Sequence, residues 1–235
     1  MRWKRIRQKL FYRLLKLTGW CLATMPQPVV EAICRNLGDI AFYMPLKWRR
    51  IMLSNLTHAF PHRSMQWRQR IARESFRRFF ELGFFAIASP HFSKKRIRRQ
   101  YSLGSEASEL LPDRSSVVGL CPHLSNMEVV TLLNFLTPEP IPPTGIIFRP
   151  TGDVALDRYI KKTRERGGVE LLSRKSGFNR ALQILRDGGS VGVLFDQNAG
   201  DRGALTLFMN RLASSTELPG LLVEKFKSRT LVIYP

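Results

Sequence analysis

Acidic residues are what the first hundred positions lack. In a chain of 235 residues, positions 1–100 hold 4 Asp and Glu against 22 Lys and Arg. A surface that neutralises itself is therefore excluded there. Cysteine is scarce as well. Cys21, Cys34 and Cys121 are odd in number and scattered, which gives neither a disulfide framework nor zinc-ligand spacing and favours a reducing compartment. Long hydrophobic runs are also missing. The longest charge-free stretch of the basic part, Leu17 to Val30, has 14 residues and includes Pro26 and Pro28, short of the ~20 apolar residues of a bilayer span. No small-residue cleavage site follows it, so a removed signal peptide is not expected. With 44% hydrophobic and 24% charged residues, a disordered or collagenous chain is excluded too.

What is present is a charge of +20, of which +18 lies in residues 1–100 and +2 in residues 101–235. A cationic segment suits a polyanion, either nucleic acid or an anionic membrane surface. The apolar pattern chooses between them. Trp3, Ile6, Leu10, Leu14 and Leu17 form one helical stripe, and Arg2, Arg5, Lys9, Arg13 and Lys16 form a second stripe on its shoulder. Apolar residues bordered by long cations suit a helix lying in a membrane interface, with stems buried and heads among phosphates. No RNA-binding or zinc module is present, so nucleic acid is not the expected partner. A single N-terminal anchor or monotopic attachment both fit, as does a basic helix packed on its own domain.

Further helices are expected over Pro28–Tyr43, from Leu46 to a stop at Pro61, and from a Ser64 cap onward. In the last, Trp67, Ile71, Phe79, Leu82 and Phe85 fall on one broad face, interrupted by Ser75 and widened by Phe76, expected to be mostly core with a lipid-facing part as the alternative. The cluster Lys94-Lys-Arg-Ile-Arg-Arg99 reads as a solvated surface or as a dock for phosphates or an acidic carrier protein. Residues 1–100 are thus read as a basic helical membrane-docking region, and 101–235 as a second domain.

That second domain alternates short β-branched runs with helical stretches. Strands are expected at Ser115–Cys121, Thr144–Phe148, Val169–Leu172, Ser190–Phe195, Ala204–Phe208 and Thr230–Tyr234. Helices are expected at Asn126–Leu136, Asp153–Arg166, Phe178–Arg186 and Thr216–Lys227. The alternation predicts an α/β fold with a mixed, mostly parallel sheet and flanking helices. Chemistry in such folds gathers at the carboxyl ends of strands. His123 lies at one, after the run Val117-Val-Gly-Leu-Cys-Pro122, with Glu128 five residues on. On one helix the two would stand roughly 140° apart. They meet only if His123 sits in the loop and Glu128 in the first helical turns, with Ser125 or Asn126 as N-cap. A carboxylate on the imidazole would fix its tautomer and free the other nitrogen to take a proton from a hydroxyl.

From about Leu10 to Pro235 the chain resembles the lipid A biosynthesis (late) acyltransferases, the lauroyl/myristoyl transferases of the lysophospholipid acyltransferase superfamily. The resemblance is carried by Ser54-Asn-Leu-Thr-His-Ala-Phe-Pro61, the His123-x4-Glu128 box, Phe148-Arg-Pro150 and the Arg164 and Arg174 neighbourhoods. Leu185-Arg-Asp-Gly-Gly-Ser-Val-Gly-Val-Leu-Phe-Asp-Gln197 and Gly203–Thr216 follow in the family's order. It implies a glycerolipid acyltransferase-like fold and transfer of a fatty acyl chain from an acyl-carrier-protein thioester to a hydroxyl of a lipid A precursor. The thioester would be a co-substrate, with no cofactor or metal. His123 would be the base and Glu128 its orienting carboxylate. Arg164 would anchor a phosphate or stabilise developing negative charge, and Asp196 and Gln197 would complete the polar site. Arg149 and Arg174 would bind substrate or else be surface cations. The implied partners are the carrier protein, an anionic lipid acceptor and a membrane surface, at the cytoplasmic face of a bacterial inner membrane.

Two departures stand out. Phe208-Met209-Asn210 replaces the family's usual Phe-Phe-Gly, and Asn tolerates the left-handed conformation that Gly would supply. The chain also stops at Tyr234-Pro235, where family members continue with more helix and strand, so the domain is expected to be truncated. Other acceptors, lysophospholipids or other glycolipids, remain open, as does a non-catalytic basic membrane-binding protein. Gly188-Gly-Ser190-Val-Gly192 fits G-x-S-x-G, but a helix precedes it and a strand follows, the inverse of a nucleophile elbow. Cys121 reads as a buried strand-end residue rather than a nucleophile.

Overall fold

A computed structural model describes residues 2–105, 115–124, 126–138, 140–174, 176–201 and 203–234. Five helices come first: α1 (Arg2–Thr24), α2 (Gln27–Tyr43), α3 (Lys47–Ala59), α4 (Met65–Ala88) and α5 (Lys94–Gln100). Their ends follow from local chemistry. Pro28 sits in the first turn of α2, where its missing N–H costs nothing. The Ser64 and Ser93 hydroxyls accept from Trp67 and Arg96 N–H at 3.2 and 3.1 Å, capping α4 and α5.

The buried face of α4 differs from the expected one. Arg68, Ala72 and Phe76 are buried, whereas Phe79 is 70% exposed. The cause is the close crossing with α2. A Cβ at Gly38 would lie 2.5 Å from Cα of Arg77, so the contact runs along the Ala72–Phe76 side, with Phe42 packed against both. Beside that crossing Asp39 accepts from Arg73 Nε and Arg77 Nε, each at 2.7 Å. Hydrogen bonds from Arg77 and then Arg73 hold its carboxyl far below the usual carboxylate range.

The α/β part contains β1 (Val117–Cys121), β2 (Thr144–Phe148), β3 (Val169–Ser173), β4 (Ser190–Leu194), β5 (Ala204–Phe208), β6 (Arg211–Ser215) and β7 (Arg229–Val232). Interleaved are α6 (Leu133–Leu136), α7 (Val154–Glu165), α8 (Phe178–Arg186) and α9 (Leu218–Phe226). Five strands form one sheet in the order β3-β2-β4-β1-β7, with every pairing parallel. The α/β architecture thus stands as expected. One face packs Val118, Leu172, Val191 and Val193 on α8 and on Leu222 of α9. The other packs Cys121, Ile146, Val169 and Leu171 on Val130 and Leu133.

The expected helix over Asn126–Leu136 is instead a 3-10 turn from Met127 to Leu132 followed by the short α6. The β-branched run Val129-Val130-Thr131 is a poor helix former. Asn126 stands at the N-cap without a side-chain cap bond, and Ser125 lies outside the described residues. β5 and β6 form a separate antiparallel hairpin. Its turn residues Met209 and Asn210 have φ of +49° and +60°, so both adopt the left-handed form that a two-residue hairpin turn needs.

The basic helices and the α/β part share a core in which Leu22, Ala88, Phe92 and Ile97 meet Leu132 and Phe135. α1 contributes through a face the sequence did not single out. A Cβ at Gly19 would overlap the Ile87 carbonyl oxygen, and Tyr12 packs edge-on against Tyr159 with ring centroids 5.9 Å apart. The stripe Trp3, Ile6, Leu10, Leu14 and Leu17 consequently stays exposed. No helix among the described residues is long and apolar enough to cross a membrane.

Asp39→Asn removes the charge that joins α2 to α4, and a fall of several degrees in the thermal midpoint is expected at neutral pH. Because the Asp39 pKa is lowered on folding, its stabilisation is present above the ordinary carboxyl value of ~3.9 and fades as pH falls below it. The gap between wild type and variant in pH-dependent melts should be constant above about pH 5 and shrink below about pH 4.

Candidate active site

Parallel register builds the site. Cys121 of β1 pairs with Leu194 of β4, and each strand continues two residues into a loop, to His123 and Asp196. The two side chains therefore meet at the carboxyl edge. Asp196 Oδ2 accepts the His123 backbone N–H and Oδ1 engages Nδ1, both at 2.7 Å. A carboxylate can only accept, so Nδ1 carries the proton, and in the neutral imidazole Nε2 is then the nitrogen with the lone pair. Gln197 Nε2 donates to that nitrogen at 3.2 Å.

The expected contact between Glu128 and His123 is not made. Glu128 is 7% exposed, on the 3-10 turn, and its partner is Arg164 in the last turn of α7. Arg164 Nε donates to Oε2 at 2.9 Å, and Nη2 donates to Oε1. A buried carboxylate needs a compensating charge, and the guanidinium fork supplies it in a two-point geometry that the solvent-facing imidazole does not offer. The carboxylate that meets the imidazole is therefore Asp196 and not Glu128.

A second register places the other two arginines. Phe148 of β2 pairs with Ser173 of β3, so Arg149 and Arg174 are neighbours one residue past adjacent strands, and the Arg174 N–H donates to the Phe148 carbonyl at 2.9 Å. Both are exposed, and among the described residues neither forms an ion pair. The loop after Arg149 is pinned by Asp157, which accepts from Thr151 N, Thr151 Oγ1 and Gly152 N at 2.8, 2.7 and 3.1 Å. Burial pushes the Asp157 carboxyl up, but these three bonds outweigh it and bring its pKa below the usual value.

His123, Arg149, Arg164, Arg174 and Gln197 line one cavity of about 300 Å³, with Met127, Asn198 and Thr216 among its further walls. Those three were not singled out from the sequence, although Asn198 follows Gln197 and Thr216 ends a block that resembles the family. Along the carboxyl edge, from β3 to β1, stand Arg174, Arg149, Asp196 with Gln197, and His123. An imidazole whose Nε2 meets only the Gln197 amide, beside two guanidinium groups that form no ion pair among the described residues, can take a proton from a ligand held by its anionic group.

Cys121 is 5% exposed, and burial, then the Asp196 charge, pushes its thiol up to about 11. That is the opposite of an activated thiolate. Ser190 opens β4 after α8, the helix-then-strand order read from the sequence. No group of three His, Cys, Asp or Glu among the described residues could hold a metal ion.

The model of the bacterial lipid A biosynthesis acyltransferases matches residues 5–235. The chain belongs to that family. Comparison with curated proteins gave no match. Membership makes the protein an acyltransferase, and the cavity at the strand ends is its candidate active site.

The two carboxylates should respond differently to neutralisation. Asp196→Asn should lower kcat for acyl transfer by about 10²–10⁴-fold with an unchanged thermal midpoint. Glu128→Gln leaves Arg164 without its counter-charge and should cost about 3 kcal/mol of stability in urea unfolding.

Proposed function

We propose that the protein moves a fatty acyl chain from an acyl-carrier-protein thioester to a hydroxyl of a lipid A precursor at the membrane surface. The observation that carries this reading is the His123–Asp196 pair opening onto a cavity lined by Arg149 and Arg174, neither in an ion pair among the described residues. A lipid hydroxyl takes the place of the Gln197 amide and donates to His123 Nε2. Its oxygen attacks the thioester carbonyl as Nε2 takes the proton, and Asp196 stabilises the resulting imidazolium. When the tetrahedral intermediate collapses, the carbon–sulfur bond breaks and the thiolate recovers that proton. The products are an ester and a free thiol, and His123 returns to its starting state.

Arg149 and Arg174 suit a phosphate on the acceptor, because two guanidinium groups offer several N–H donors to its oxygens. Arg164 gives Nε and Nη2 to Glu128, which leaves Nη1 as the nitrogen available to a ligand. Attachment to the membrane is assigned to α1. Its unpartnered stripe from Trp3 to Leu17 would enter the interface while Arg5, Lys9, Arg13 and Lys16 meet anionic headgroups, each adding ~1 kcal/mol. The face pointing to a cytoplasmic carrier protein would be that of the inner membrane.

His123→Ala should abolish transfer and leave vesicle binding intact. Normal transfer by that variant would overturn the mechanism. Mass spectrometry of lipids from cells with and without the gene should reveal one missing acyl chain on lipid A. A chain missing from a lysophospholipid product or another glycolipid would reassign the acceptor, and no missing chain would favour a non-catalytic membrane protein. For the acceptor site, Arg149→Ala and Arg174→Ala should each raise the acceptor KM roughly tenfold. A dephosphorylated acceptor should show no such difference.

A further inference from the structure

The exposed face of α5 remains unexplained by the site. Lys94, Lys95, Arg98 and Arg99 are all exposed and span about 140° of the helix at 100° per residue. The opposite side is anchored by Ile97, which is fully buried. Lys94 with Arg98, and Lys95 with Arg99, are like charges four residues apart, an arrangement that destabilises a helix by about 0.2–0.5 kcal/mol per pair. Among the described residues no carboxylate pairs with any of the four. Arg98 Nε donates to the Phe135 carbonyl at 2.7 Å, and Lys94 Nζ lies 5.3 Å from the Phe135 ring centre.

Two observations decide what such a face would hold. First, it is cationic without being amphipathic. Large exposed hydrophobic residues occur on α1, α2, α3 and the hairpin, but none lies between Phe79 and Leu124 among the described residues. An inserting membrane face would carry them. A face of charge alone suits the complementary surface of a soluble acidic protein. Second, it borders a depression lined by Lys95, Arg96 and Arg99. The depression shares Gln27, Arg96 and Gln100 with a cavity of about 170 Å³ between α2, α4 and α5, whose walls also include Glu31 and Glu81. Leu22, Phe84, Phe85, Ala88 and Phe92 line that cavity, and it reaches Asn126, in the segment between His123 and Glu128. Asn126 Nδ2 donates to Tyr101 Oη at 3.2 Å, while its Oδ1 is buried with no hydrogen-bond partner. Gln100 Nε2 donates to Gln27 Oε1 at 3.1 Å across the boundary between the two spaces.

We propose that the Lys94, Lys95, Arg98 and Arg99 face of α5 is the docking surface for an acidic acyl-carrier protein. This deepens the functional reading and rests on its carrier-protein thioester donor. The acidic surface of the carrier lies on α5. The repulsion within α5 is then relieved in the complex rather than in the free protein, and association depends steeply on ionic strength.

The test uses the full chain with the double variant Lys94→Glu and Lys95→Glu. Each new glutamate stands four residues before an arginine and in the first helical turn, both stabilising positions. The variant should therefore melt at or above the wild-type temperature. Affinity for a fluorescently labelled acyl-carrier protein, read by anisotropy at low salt, should fall at least tenfold. The gap should close as salt is raised. KM for the carrier thioester should rise by the same factor, and transfer from the same acyl chain on a pantetheine thioester should not change. Binding to anionic phosphatidylglycerol vesicles should also be unaltered.

Equal carrier affinity in the two proteins overturns the docking surface, as does a wild type that does not bind the carrier. A loss of vesicle binding with carrier affinity kept reassigns the face to the membrane. If the wild type binds carrier through α5 yet transfers no acyl chain, the docking inference stands and the enzymatic reading fails.

Discussion

The parallel pairing of β1 with β4 is the constraint on which the site depends. It aligns Cys121 with Leu194, and the loops that follow deliver His123 and Asp196 to one point. Two hydrogen bonds of 2.7 Å then fix the imidazole through both its ring and its backbone N–H. The same logic one pair of strands away aligns Phe148 with Ser173 and sets Arg149 beside Arg174. A parallel sheet buried on both faces cannot slip by one residue without turning core side chains outward. The hydrophobic contacts of Val118, Val191 and Val193 therefore hold the geometry of the site's edge, although of the three only Val193 lines the cavity.

Glu128 and Arg164 use the same scaffold for a different purpose. Their ion pair joins the turn after β1 to the end of α7, behind the cavity wall. The short separation of His123 from Glu128 looks like a catalytic couple in one dimension. In three dimensions the buried carboxylate takes the charge that burial demands, and the half-exposed imidazole takes a carboxylate from a neighbouring strand.

That contrast marks what was legible in the sequence. Every site residue named from the chain and its family resemblance occupies the strand-end cavity or adjoins it, because strand ends can be read from apolar runs closed by Pro or a polar step. Which carboxylate meets which base could not be read, since it follows from the order β3-β2-β4-β1-β7, and the order of parallel strands leaves no local mark. β6 escaped notice because Arg211-Leu-Ala-Ser-Ser215 has no β-branched residue, and the turn at Met209 and Asn210 imposes its pairing. The buried face of α4 was misplaced because Gly38 on another helix turns it. Boundaries of the remaining helices followed from prolines and serine caps, which act locally.

The shortage of acid in the first hundred residues has a spatial logic. Its four carboxylates, Glu31, Asp39, Glu74 and Glu81, lie on α2 and α4 alone. Asp39 of α2 is bound to Arg73 and Arg77 of α4 where those helices pack, and Glu74 and Glu81 pair with Arg77 and Arg78 along α4 itself. Acid is thus used at the α2–α4 crossing and along α4, and none remains for α1, α3 or α5. Neutralising those faces from within would have been simple, since one glutamate at helical spacing suffices to offset a cation. Left unmatched within the chain, such faces suit polyanions outside it. On α1 the cations flank an apolar stripe and suit a bilayer. On α5 they stand without one and suit a soluble acidic partner. One excess of charge is therefore divided between two kinds of surface, separated by whether apolar side chains accompany it.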